Sequence, residues 1–131
     1  MSKQTLELMK ETFSIHSFPP GTEIPTAIYE APIFFISKTY DELSVVCPSS
    51  IKLDSLEHEI GWGALEVLGP LGFSLTGILS DISGVLASEK ISIFAISTFE
   101  TDYILIKQDM MFNAIESLQK AQYNVLNNDH Q

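Results

Sequence analysis

WGALEVLGPLGFSLTGILSDISGVLASEKISIFAISTFETDYILIKQDM, residues 62–110, decides how this chain folds. Its first seven residues, Trp62 to Leu68, alternate and stop at Gly69-Pro70, the mark of a strand entering a turn. Beyond Phe73 the apolar positions Leu75, Ile78, Leu79, Ile82, Val85 and Leu86 fall three or four apart. They form one stripe of a helix, with Ser74 the expected N-cap. Ser88-Glu89-Lys90 breaks that period, and Ile91 to Ile96 is the nearly continuous, β-branched run of a buried strand. Ser97 to Thr101 turns the chain, and Tyr103 to Ile106 returns as another strand. Asp109 is then expected to cap a second helix that turns Met111, Ala114, Ile115, Leu118 and Ala121 inward. Tyr123 to Leu126 closes the series ahead of a polar tail. The order β-α-β-β-α-β is the split βαβ, or ferredoxin-like, unit of an α+β fold. About 28 residues separate the centres of the first two strands, enough for a helical crossover, whereas the middle pair needs only a hairpin.

Outward from this stretch, the first 60 residues carry weaker signals. Thr5 to Leu8 and Thr12 to Ser17 read as short strands. Pro19-Pro20-Gly21 and Pro25 exclude a long helix, leaving one turn over Ile24 to Tyr29. Ile33 to Ser37 and Leu43 to Cys47 form a strand pair across 38–42, and Pro48 ends the second of them. Residues 51–60 are charged, with a possible helical turn, and Gly61 opens the second half. The expectation is therefore two ferredoxin-like (βαββαβ) modules, residues 1–60 with reduced helices and residues 61–131 complete. So small a front module cannot bury enough surface alone. No internal sequence repeat is visible.

Composition narrows the function. Seven basic residues face 17 acidic ones, a formal charge of −10. Every basic side chain is a lysine, so no guanidinium fork is available for phosphate or carboxylate. Nucleic acid and anionic membranes are thus excluded as partners, since both require a positive face. No apolar run nears the ~18 residues that span a bilayer, and 1–8 hold no signal-peptide core. With a single cysteine, Cys47, these features imply a cytoplasmic protein.

Two segments hold candidate binding chemistry. Gly69-Pro70-Leu71-Gly72-Phe73-Ser74 joins the first strand to its helix, where glycines and unpaired N–H groups suit a carboxylate. It matches neither a P-loop nor a GxGxxG fingerprint, and a plain tight turn is the other reading. Ser97-Thr98-Phe99-Glu100-Thr101-Asp102 is a hydroxyl-rich hairpin. Asp102 at the root of an apolar strand could pair with an ammonium or guanidinium, although such residues are also ordinary turn formers. His16, His58 and His130 do not cluster, and no metal-ligand spacing or GxSxG elbow occurs, so no metal, cofactor or catalytic residue is expected.

The strings Trp62-x-Ala64-Leu65, Gly69-Pro70-Leu71-x-Phe73-Ser74-Leu75-Thr76-Gly77-Ile78, Ile91 to Phe99 and Thr101-Asp102-Tyr103-Ile104-Leu105 resemble the ACT-domain family. Within it they are similar to small bacterial ACT proteins related to CASTOR-type arginine sensors and to aspartokinase regulatory domains. Phe34 to Thr39 and Asp41 to Pro48 extend the resemblance into the front half. It implies a regulatory, non-enzymatic protein that binds a free amino acid between ACT units. Gly69, Pro70, Leu71, Phe73 and Ser74 would then face the ligand, with Ile96, Ser97, Thr98 and Phe99 as strand-edge contacts and Asp102 as the acidic partner. The animal sensors have four such units against two here, which implies a homodimer. The acidic surface admits a cationic amino acid. Two other readings stand beside this one. One is a ligand-free oligomerisation or protein-interaction module with an unidentified protein partner; the other is an enzyme using Cys47 or His16.

Overall fold

The computed structural model describes residues 3–68 and 77–127. The chain divides into two compact units, Met1–Lys10 with Gly63–Gln131, and Glu11–Trp62.

In the larger unit the second half of β5 (Glu57–Leu68) leads to α1 (Ile78–Ser88), β6 (Phe94–Ser97), β7 (Asp102–Lys107), α2 (Gln108–Lys120) and β8 (Asn124–Asn127). This is the β-α-β-β-α-β order expected. β6 pairs antiparallel with β7, and β7 pairs with β5. A further strand enters from the N-terminus: β1 (Thr5–Leu8) runs antiparallel to β5, from Thr5 opposite Leu68 to Leu8 opposite Leu65, and parallel to β8. Residues 3–10, read from the sequence as part of the front half, therefore count with the C-terminal unit. The correction has a simple cause: four alternating residues show which face is apolar but not which strand they will pair with.

One face of this sheet carries Leu6, Leu8, Leu65, Val67, Ile104 and Ile106. It packs against Ile82 and Leu86 of α1 and Met111, Ala114 and Leu118 of α2. Both helical stripes fall where the spacing puts them, while three boundaries move. The N-cap of α1 is Gly77, at φ 84°, with no side-chain cap bond, and Ser74 lies outside the described residues. Lys107 caps α2, and Asp109 sits inside its first turn, where it favours the helix dipole. The strand expected over 91–96 is shortened to Phe94–Ser97 because Ile91 is used otherwise. Its N–H reaches back to the Leu86 carbonyl (3.0 Å) and its side chain is buried in the core. Lys90 before it takes φ 62°, so α1 ends in a Schellman-type turn without glycine.

The smaller unit pairs β3 (Phe35–Lys38), β4 (Leu43–Pro48), β2 (Phe13–Phe18) and the first half of β5 in that order, all antiparallel. Its one helical piece is a 3-10 turn over Thr26–Glu30. Phe18, Ile28, Leu43, Val45 and Cys47 make its core. Residues 57–60, expected to be charged linker, are strand: the backbone ladder to β2 overrides their polar composition. Between Phe13 opposite Trp62 and Ile15 opposite Glu59 the register slips, with one extra residue on β5. Gly61 in this bulge has φ 81°, a conformation that a side chain strains. Gly61→Ala, which meets no atom within 4 Å, should still cost about 1–2 kcal/mol. Urea unfolding would read this as a lower midpoint at unchanged slope.

Candidate functional site

The hairpin between β6 and β7 is built by its own short side chains. The Thr98 N–H donates to the Thr101 carbonyl (2.8 Å), and the Thr98 hydroxyl donates to that carbonyl and accepts from the Thr101 N–H. Ser97, directly opposite Asp102, donates its hydroxyl to Asp102 Oδ1 at 2.6 Å. Thr101 turns the other way and donates to the carbonyl of Val67 on β5. That bond ties the hairpin to the end of the strand from which Gly69 continues. Gly69, Pro70, Leu71, Phe73 and Ser74 lie outside the described residues.

Of the remaining candidates, Ile96 and Asp102 are half-buried, Ser97 and Thr98 are exposed, and Phe99 is 84% exposed. Asp102 has a hydroxyl donor in Ser97 and no cationic partner among the described residues. Its carboxylate is thus oriented by the hairpin yet not neutralised. Next to it Tyr103 is pushed up from the ordinary phenol range, first by burial and then by the charge and hydrogen bond of Glu66, with Glu100 adding to it.

Composition gave no sign of a second cluster at the start of α1. Asp81 accepts hydrogen bonds from the Tyr123 hydroxyl and from Lys3 Nζ (3.0 Å), and Lys3 lies 5.0 Å over the Tyr123 ring. The Tyr123 bond, then the Lys3 bond and the Lys3 charge, hold the Asp81 carboxyl below its ordinary 3.8. Burial first, and Asp81 second, push the Tyr123 phenol well above its usual range. The cluster pins α1 to residues near both chain ends. Asp81 also stands in the first turn of α1, where its charge favours the helix dipole. Because the folded state binds this proton less readily than the unfolded one, the Asp81 contribution is complete above 3.8 and is lost as pH falls through the lowered value. Asp81→Asn should flatten that acid limb in urea unfolding measured from about pH 5 to about pH 2.5.

Burial pushes the Cys47 thiol up, which keeps it protonated, the opposite of what a nucleophile requires. Among the described residues no group of three or more His, Cys, Asp or Glu is placed to hold a metal ion, and no helix is long and apolar enough to cross a membrane.

Residues 57–120 match the family model described as ACT domain. The cytosolic arginine sensor for mTORC1 subunit 1 of Rattus norvegicus is 34% identical over 113 residues, covering 85% of this chain and 34% of that protein. Its Homo sapiens counterpart is 41% identical over 76 residues, 57% of this chain and 23% of that protein. The chain thus spans about a third or less of the length of these curated relatives. Among solved structures, a structural-genomics protein of Agobacterium tumefaciens superposes with a TM-score of 0.89 at 26% identity, over 98% of this chain and 96% of that one. The aspartate kinase of Clostridium acetobutylicum gives 0.67 at 15% identity, over 86% of this chain and 33% of that one; at that identity the likeness is one of fold.

Proposed function

We propose that this chain, whose residues 57–120 match the ACT-domain model, is a regulatory protein that binds a free amino acid at the junction of ACT domains in a homodimer. The observation that carries this reading is the hairpin. It presents a half-buried, oriented and un-neutralised Asp102 beside the end of β5, at the bond from Thr101 to Val67. On this reading the ligand's ammonium or cationic side chain meets Asp102. Its carboxylate sits at the start of α1, where Gly77 leaves the first N–H groups without a side-chain cap. Ile96, Ser97, Thr98 and Phe99 line the approach, and the family resemblance adds Gly69, Pro70, Leu71, Phe73 and Ser74 as ligand-facing residues. The protein works in the cytoplasm without cofactor or catalysis, and ligand binding alters its affinity for a protein partner. The relatives named as cytosolic arginine sensors support both the ligand class and the compartment.

Thermal unfolding of the purified chain against each of the twenty amino acids tests the reading. A selective upward shift supports it and names the ligand. No shift with any of them at millimolar concentration sinks it, and leaves the ligand-free oligomerisation or interaction module as the function.

A further inference from the structure

In the smaller unit two histidines meet across a strand pair. His16 on β2 stands directly opposite His58 on β5, with ring centroids 5.8 Å apart and planes inclined by 28°. They differ in environment, for His16 is 5% exposed and His58 lies open to solvent. His16 Nδ1 shares a 2.9 Å hydrogen bond with Ser55 Oγ, while Nε2 is buried without a partner among the described residues. Phe18, two residues along β2, also stacks with the His16 ring, centroids 6.2 Å apart.

This arrangement accepts a neutral imidazole and rejects a charged one. In the tautomer that donates Nδ1–H to the Ser55 hydroxyl, neutral His16 leaves only an unfilled acceptor inside. A proton on Nε2 would add a buried donor with nothing to receive it, in a site that water does not reach. It would also set a positive ring against the imidazole of His58, 5.8 Å away. The other groups around the ring do not compensate. Val45, directly opposite on β4, is apolar, and Ser55 is already engaged. Asp54 beside Ser55 is exposed. Glu57 and Glu59 flank His58 but alternate to the other face of the strand, as does Ser17, which holds Glu42. Burial first, and His58 second, accordingly lower the His16 value from 6.5.

What His16 holds is the segment before β5. The Ser55 hydroxyl is fastened to the ring, and the Leu56 N–H donates to the Ser17 carbonyl at 3.0 Å. Asp54, Ser55 and Leu56 form part of a cleft of about 410 Å³ with Phe18, Pro19 and Pro25.

We propose that the His16–His58 pair is a proton-operated latch: neutral, it keeps the 54–56 segment closed on β2, and protonation of His16 releases that segment and opens the cleft. The sign follows from linkage. A folded value below the free 6.5 means that the opened state binds the proton better. Closure is therefore complete above 6.5 and weakens as pH falls from there through the lowered value. If His16 titrates at 6.5 only when open, the opening constant rises up to about tenfold between about pH 7.5 and about pH 5.5. Asp81 titrates below this window and Tyr123 above it, so neither interferes.

Amide hydrogen exchange on the whole chain at those two pH values, corrected for intrinsic rates, reads the latch. The amides of 14–18 and 54–59 should open several-fold more often at the lower pH, while α1 and α2 do not change. His58→Gln should shrink the response and His16→Phe should abolish it. Should His16→Phe fail to fold, an NMR titration of the wild-type His16 ring takes its place, with a midpoint below that of free imidazole expected. Equal protection at both pH values, a response that survives in His16→Phe, or an ordinary His16 midpoint would overturn the proposal.

Discussion

Asp102→Ala is expected to remove most of the thermal stabilisation that the cognate amino acid confers on this protein. At a hundred times its dissociation constant a ligand that binds only the folded state adds about 2.7 kcal/mol, several degrees for a chain of this size. A hydrogen bond to a charged partner contributes about 1.5–3 kcal/mol, so losing it weakens binding by about tenfold to a hundredfold. At the same ligand concentration a hundredfold loss leaves only about 0.4 kcal/mol of stabilisation. The folded state itself should barely notice, because the bond from Ser97 to Asp102 lies at the surface. Asp102→Asn refines the test: it keeps an acceptor for the Ser97 hydroxyl and removes only the charge. A shift lost in both variants assigns the charge to the ligand. A shift that survives in both, with wild type still responding, would move the acidic partner elsewhere while leaving amino-acid binding intact.

The second large effect is in the core. Leu118→Ala should destabilise the protein by about 2–5 kcal/mol. Leu118 is fully buried in the cluster that joins α2 to the sheet and α1, among Leu86, Met111 and Ala114. Alanine is the better helix former, so the whole loss is packing. With natural stabilities of about 5–15 kcal/mol, this is a large share of the total. The melting temperature should fall by about 10 °C or more, with Leu118→Met costing less than about 1.5 kcal/mol as the volume-conserving control. Leu56→Ala offers a second comparison, since Leu56 is 71% exposed and its truncation should stay within about 0.5 kcal/mol. Equal losses at 118 and 56 would contradict the helix–sheet core described above.

The sequence by itself determined the helices and strands of the C-terminal half. Ile82, Leu86, Met111, Ala114 and Leu118 were assigned inward by spacing alone and all five are buried in one cluster, because helical periodicity is a property of neighbouring residues. The 97–102 hairpin was legible for the same reason, its threonines and serine being turn formers that bond locally. The loop half of the candidate site, residues 69–76, falls outside the described residues.

Tertiary structure alone decided what depends on distant partners. Nothing in Thr5–Leu8 says that it will lie between β5 and β8, since a short alternating strand carries no address for its neighbour. Nor does the polar run Glu57–Ile60 announce a strand; its ladder to β2 forms only because β2 is there to receive it. The meeting of Lys3, Asp81 and Tyr123, and of His16 with Ser55 and His58, likewise joins residues far apart in the chain, from 39 positions for His16 and Ser55 to 78 for Lys3 and Asp81 and more for Lys3 and Tyr123. Such pairs leave no periodic trace, because side-chain contact across a fold is set by strand register and helix packing rather than by local sequence.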